Sequence, residues 1–411
     1  MSSADSNTHA IAAALVAALV CGSAAAQSRS TDPAANAAAT APGAGQAATG
    51  PGAAQAASAG REAGADAAGA MSSLRAAPAE TMAAAHEDPH WQPPRTSWGH
   101  PSLEGVWSTD DLRSVPLNRP EELGTRGLLT PEEFALRARA DDQGSSAEGS
   151  FLQHEWGVRT FGYTSLVVDP PNGRVPALTQ AGEALAATRN RGTFGPGPFD
   201  DLDDFTLYDR CITRGVLGSV LPVIYGNGVR ITQNPSSVAI TYEMIHDTRL
   251  IALDGRPHVG DGIRQWMGNA RGRFEGDTLV VESRNFTDRT NLGTNGNGTP
   301  NSEALVLTER FTRVDPEMIE YVATVNDPVA YTAPFTLRLM LTTRPGGYEL
   351  LEYSCHEGNG AVRNSLSGER VYEKQVAEAL AKGLPPPARA TEHNQIRNGV
   401  AERPFNINAG E

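Results

Sequence analysis

From about residue 229 onward the chain alternates apolar and polar side chains in short runs, the period of half-buried β-strands. "VRITQ", "SVAITYEMI", "TRLIAL", "DTLVVES", "ALVLTERFTRV", "MIEYVATV", "FTLRLMLTT" and "YELLEYSC" are rich in β-branched and aromatic residues. Turn-forming stretches separate them: "NPSS", "LDGRP", "FEGD", "VDPE" and "RPGG". Ile319, Tyr321, Ala323 and Val325 fall on one face of their strand, with Glu320 and Thr324 on the other. So many strands in succession predict an antiparallel meander closed into a barrel, or a sandwich, with helices as peripheral elements.

The helical pattern is sparser. In "LTPEEFALRARADD", Thr130 stands at the N-cap, Pro131 at the first helical position and Glu133 three residues after the cap, which predicts a helix over 131–140. "TQAGEALAATRNR" predicts a second over 180–190, and "EKQVAEALAKGLPPP" a short closing helix stopped by Gly383 and prolines. Ahead of them all, Gly105, Val106 and Trp107 open a first strand.

"SVAITY" runs on at Tyr242 into the polar-dense "YEMIHDTRLIALDGRPH", residues 242–258, and one continuous strand from Val238 to Leu253 would have sixteen residues, far above the usual length. The spacing predicts a break at His246 and Asp247. Ile240, Tyr242, Met244, Ile251 and Leu253 then share one apolar wall, Glu243 faces the other way, and a second turn forms at Asp254 and Gly255.

The N-terminus carries no strand pattern. An apolar run from Ala10 to Val20, too short to span a bilayer, precedes small residues at Ala24–Ala26; this predicts a signal peptide over 1–26. Its leading segment lacks Lys and Arg, and Val20 before Cys21 is a poor fit to a lipoprotein cleavage site. Residues 27–88, mostly Ala, Gly, Pro, Ser and Gln, have too little to bury to fold and read as a disordered spacer. A single barrel domain is expected over 89–388 and an extended tail over 389–411.

A formal charge of -14 with no Lys/Arg-rich run argues against nucleic acid as a partner, and no segment reads as transmembrane. Export leaves Cys211 and Cys355 as an even pair in a compartment where disulfides persist, so a Cys211–Cys355 bridge and a periplasmic or secreted location are expected.

Together "LEGVW", "RCITRGV", "EMIHDTRLIALDGRPH", "WMGNARGRFEGDTLVVESRNF", "SEALVLTERFTRVD", "DPVAYTAPFT" and "LLEYSCHEGN" resemble a family of exported, mostly uncharacterised bacterial proteins. The resemblance covers roughly residues 100–365 and implies export and a lipocalin-like (calycin-type) β-barrel, but no reaction. "GVW" is also similar to the lipocalin Gly-x-Trp signature, whose Trp plugs the closed end of the barrel. The family pattern would place Trp at Phe274 and Ser at Ala270; the second difference removes the obvious serine nucleophile.

Acid–base chemistry would use His246 or His258, with Asp247 or Glu243 setting the tautomer. Arg249 or Arg256 would hold an anionic group, with Tyr242, Trp266, His356 and Asn359 as further substrate contacts. Each of these is commonplace in a turn, and it is their density that points to a site. His246, His258 and His356 match no zinc-ligand spacing, so neither metal nor cofactor is expected. The sequence thus favours an acid–base enzyme acting on a small organic molecule at the barrel mouth. The alternatives are a non-catalytic binder of a hydrophobic or aromatic ligand and a structural envelope protein.

Overall fold

Hairpins chained by two-residue turns dominate the molecule, because the turn residues sit where the strand register needs them. In this computed structural model residues 91–145, 157–189, 198–223, 225–293, 299–343 and 349–388 are described. All belong to one unit, Ala59–Glu411; the other unit, Met1–Ser58, lies outside the described residues, as do the expected signal peptide, spacer and tail.

The strands are β1 (Gly105–Ser108), β2 (Val167–Asp169), β3 (Gly228–Asn234), β4 (Ser237–Tyr242), β5 (Thr248–Ala252), β6 (Asn269–Glu275), β7 (Thr278–Arg284), β8 (Val306–Asp315), β9 (Met318–Asn326) and β10 (Phe335–Thr342). β1 and β3 to β10 form a ring of nine strands, closed where Ser108 on β1 meets Thr342 on β10. β2 adds to β10 through Leu337 and Thr336. Gly276, at φ 60°, makes the tight turn between β6 and β7, as "FEGD" predicts.

The barrel is mainly β as expected, but it is not purely antiparallel. β5 and β6 run parallel, with Ala252 opposite Arg271. "LDGRP" therefore does not make a hairpin. Residues 253–268 carry the chain back along the wall, and a crossover of a dozen or more residues is what a parallel step requires. Residues 349–355 of "YELLEYSC" do not form a strand either: side chains take two of their backbone groups, with Leu351 N–H donating to Glu243 Oε1 at 2.8 Å and Tyr353 O accepting from His246. β2 was not legible in the sequence.

Period-two alternation fills the barrel. Val229, Ile231, Val238, Ile240, Tyr242 and Ile251 point inward from one side, and Leu279, Val281, Leu307, Phe311, Ile319, Tyr321, Ala323 and Val325 from the other, all buried. Gly272 faces Ile251 closely: a Cβ there would lie 2.7 Å from its Cγ2, so the wall has room only for hydrogen. Trp107 is buried, donates from Nε1 to Leu103 O at 3.0 Å, and carries the Arg313 guanidinium 5.1 Å from its ring centroid.

Among the described residues three α-helices lie outside the ring: α1 (Pro131–Ser145), α2 (Gln180–Arg189) and α3 (Ala361–Ala381). α3 is twice the length that the closing pattern predicts, because "AVRNSLSGERV" continues the helix backward to the N-cap Gly360, with Gly368 accommodated inside it. It ends as predicted, at Gly383 with φ 67°.

The capping box at α1 forms: Thr130 N–H donates to Glu133 Oε2 at 2.8 Å and Glu133 N–H to Thr130 Oγ1 at 3.3 Å. Hydrogen bonds from Arg126, and then from the Thr130 backbone, hold the Glu133 carboxyl at about 2, below its usual 4.5. A depressed carboxyl stabilises the fold above its unfolded pKa, and that contribution fades as pH falls through the folded value. Glu133→Gln is therefore expected to be less stable than the parent at pH 6, with the gap closing towards pH 2 in urea unfolding; a gap that holds or widens at low pH would contradict this origin.

Candidate functional site

The break in residues 242–258 forms where the sequence predicts it, but its side chains go elsewhere. After β4 the chain turns through Met244–His246 with Ile245 at φ 67° and His246 at φ 49°, so two consecutive residues adopt left-handed backbone. That corner swings Glu243 into the structure. Its carboxylate is buried, and accepts from Gly228 N–H at 3.0 Å as well as from Leu351 N–H, so it ties the corner to two other segments.

Arg249 is not at a mouth. It is two residues before Ile251 on the same face, opposite Ile240, and this register puts it inside the barrel. There its guanidinium makes a two-pronged pair with Glu309: Nη1 donates to Oε1 at 2.9 Å, and Nη2 to Oε2. The two side chains are 2% and 1% exposed. Arg249 Nη2 also donates to Ser283 Oγ at 3.1 Å, and Tyr321 Oη donates to Glu309 Oε1 at 3.0 Å. Burial alone would lower the Arg249 pKa, but the charge of Glu309 outweighs it and the net shift is upward, so Arg249 stays charged. Burial pushes the neighbouring Tyr242 hydroxyl up to about 12, with Arg249 opposing. Tyr242 and Arg249 are thus parts of a packed interior.

The two histidine-bearing tips part company. His246 is exposed, and its Nδ1 donates to the carbonyl oxygen of Tyr353 at 3.0 Å, a contact that fixes the proton on Nδ1. The carbonyl thereby does the orienting that the sequence suggests for Asp247, which is half-buried beside it. His258 lies on the outer wall, with Nδ1 3.2 Å from Asn269 Oδ1 and Nε2 3.2 Å from Glu282 Oε1. Arg256 is exposed and pairs with Asp254 in its own turn, and Asp254 also receives Arg271 at 3.1 Å. Trp266 is half-buried.

Glu243 and His246 do converge, on Leu351 and Tyr353 just ahead of the "CHEGN" segment. Cys211 and Cys355 form a disulfide with Cα atoms 5.7 Å apart. Asn359 Nδ2 donates to Asp209 O at 3.0 Å, while His356 is exposed and its carbonyl accepts from Asn359 N–H. Residues 351–359 are thus laced to residues 209–211 on one side and to the 243–246 corner on the other.

Next to this junction is a cavity of about 240 Å³, bounded by residues 203–215, by Thr188 of α2 and by 289–291. Phe205, Leu207, Tyr208 and Arg214 are among its walls. Gly218 packs against the backbone at Arg214: a Cβ there would lie 2.1 Å from Arg214 O. Arg214 is 3% exposed and stacks on Tyr208, 5.7 Å from its ring centroid. Burial draws its pKa down to about 10, against the opposing influence of Tyr208, Tyr353 and Tyr225, so it remains cationic at neutral pH. Burial, then hydrogen bonds with Tyr353 and Tyr225, shift Tyr208 upward, so its phenol stays protonated. At the rim, Asp203 receives Arg210 Nη1 at 2.8 Å and Arg289 Nη2 at 2.9 Å.

A protonated phenol on Tyr208 with Arg210 and Arg289 among the lining residues suits recognition of a polar group. Sequence reasoning passed over Arg214, Tyr208, Asp203 and Arg289. The signal available was "RCITRGV", which places two arginines beside the disulfide cysteine. Among the described residues no group of three His, Cys, Asp or Glu side chains is arranged to hold a metal ion, and no helix is long and apolar enough to cross a membrane. Comparison with protein-family models, with curated proteins and with solved structures returned no match.

Proposed function

We propose that this chain is an exported β-barrel protein, of the kind its motifs resemble, that binds one small polar organic molecule in the cavity walled by Tyr208 and Arg214. The observation that carries this reading is a cavity of about 240 Å³ lined by Tyr208, by the buried Arg214 and by Arg210 and Arg289. That volume is below the roughly 300–1,000 Å³ of drug-sized sites, so the ligand is small. The disulfide agrees with an oxidising compartment.

Two other readings have less support. A lipocalin-type ligand in the lumen would have to displace the buried side chains that occupy it. A shared acid–base site of His246 and His258 would need rings that work on one molecule, yet they engage different partners and neither lines this cavity.

The test is a ligand-detected NMR screen of small polar molecules against the full chain, followed by crystallography of the hits. Hits are expected in the cavity, and Arg214→Lys, which keeps the charge but loses the planar fork, should weaken them about tenfold or more. Glu282→Gln on the outer wall should leave them unchanged. Hits that locate elsewhere, or that ignore Arg214→Lys in a folded variant, would overturn the reading.

A further inference from the structure

We propose that His258 is a pH-sensitive latch on the barrel wall: as an imidazolium it fastens the crossover of residues 253–268 across the seam between β5 and β6, and on losing a proton it loosens that crossover. The latch works independently of the cavity and of what binds there.

The seam is short of backbone pairing. Among the described residues the ladder between β5 and β6 is a single pair, Ala252 and Arg271, so side chains tie the crossover to the wall. Asp254 receives Arg271 of β6 at 3.1 Å. Asn269 Oδ1 accepts from Val259 N–H at 3.1 Å, and Asn285 Nδ2 donates to the carbonyl oxygens of Val259 and Gly260 at 3.4 and 3.3 Å. Past these ties the crossover is loosely packed: a Cβ at Gly260 or Gly262 would have no neighbour within 4 Å, and Ile263 is exposed.

His258 completes the set, and its two contacts fix the state of its ring. The Val259 N–H orients Asn269 with its carbonyl oxygen towards the imidazole, so Nδ1, 3.2 Å from that oxygen, must donate. Nε2 lies 3.2 Å from Glu282 Oε1 and faces a carboxylate, so it must donate as well. Only the imidazolium carries both protons. Glu282 stays ionised: burial opposes its charge, but Arg284, donating at 2.8 Å, and His258 draw its pKa down on balance. The His258 side chain is 19% exposed, so solvent can take a proton from it. Loss of either proton leaves two acceptors face to face.

The charged groups around the ring do not follow it. Glu282 and Arg284 come from β7, Arg271 from β6, and Asp254, Arg256 and Asp261 from the crossover itself, while β8 sets Thr308 opposite Glu282 and pairs Arg310 with Glu275. Carboxylates and guanidinia ordinarily keep their charge between about pH 5 and 8, and imidazole is the side chain that ordinarily changes there. The tie is thus present while the ring is protonated and is lost as pH rises.

The experiment is hydrogen–deuterium exchange of the full chain at about pH 5 and pH 8, corrected for the intrinsic pH dependence of exchange, together with a nitrogen NMR titration of the His258 ring. At the lower pH both ring nitrogens should carry protons. At the higher pH, protection across residues 259–265, where the Val259, Ile263 and Gln265 amides are hydrogen-bonded, should fall about threefold or more, while β8 and β9 stay unchanged. His258→Gln, checked for folding by circular dichroism, offers one donor at most to each acceptor pair and no titration, so its protection should be the same at both pH values. Equal protection of the parent at both pH values, or a pH dependence that survives in His258→Gln, would overturn the proposal. A ring that is singly protonated at the lower pH would overturn it too, with no variant needed.

Discussion

Glu309→Ala is expected to lower the unfolding free energy by about 3–5 kcal/mol, or to prevent folding, when measured by urea denaturation. The substitution leaves the Arg249 guanidinium charged, 2% exposed and without its carboxylate in the middle of the barrel. It also strands the Tyr321 hydroxyl, which donates to Glu309. The loss is therefore desolvation left uncompensated, far larger than the worth of the pair itself. The double variant Arg249→Met/Glu309→Leu separates these quantities, because it removes both charges and keeps the volume apolar. It should be markedly more stable than Glu309→Ala, although short of the parent while Ser283 and Tyr321 keep unpaired hydroxyls. A double variant as unstable as the single one would mean that the site needs the ion pair for packing, and that the charge argument is wrong. The same cycle bears on function: a barrel that tolerates Met and Leu here while still binding ligand shows that the interior pair is scaffold.

Much of the fold was legible, and the places where it was not have identifiable causes. Alternation in "MIEYVATV" put Ile319, Tyr321, Ala323 and Val325 on one face, and all four are buried. The excess length of residues 238–253 put the break at His246, and the backbone turns there. The density of charged residues and histidines around the turns points Arg249 to the barrel mouth. Period two, applied strictly from Ile251, places it inside, and Glu309 between Leu307 and Phe311 is its mirror on the facing wall. Patterning thus held even where the residue type argued against it. The cavity was illegible for another reason: residues 203–215 and 289–291 are loops with no period, and Arg289 reaches Asp203 across a sequence distance that no local rule covers.

Removing the disulfide is expected to be the other large perturbation. Cys211 and Cys355 are 144 residues apart, so their bond closes a loop that the chain-entropy model values at about 5 kcal/mol. For a domain of this size that corresponds to a fall in Tm on the order of 10 °C, seen as a shift between oxidised protein and either reduced protein or Cys211→Ser/Cys355→Ser. The effect should extend beyond stability. Cys211 lies three residues before Arg214, and Cys355 two after Tyr353, whose carbonyl holds His246 and whose phenol is hydrogen-bonded to Tyr208. Cutting the bond frees the cavity-lining segment that holds Arg214 from the 351–359 segment beside it, leaving Asn359 to Asp209 as a remaining tie between them. Ligand affinity should therefore fall in the serine variant even at temperatures where it is fully folded, whereas a disulfide acting only on the unfolded chain would lower Tm and leave the affinity of the native state untouched. An unchanged Tm on reduction, confirmed by thiol counting, would rule out the loop-closure account. A lowered Tm with unchanged affinity would keep that account and show that the cavity walls are positioned by their own packing.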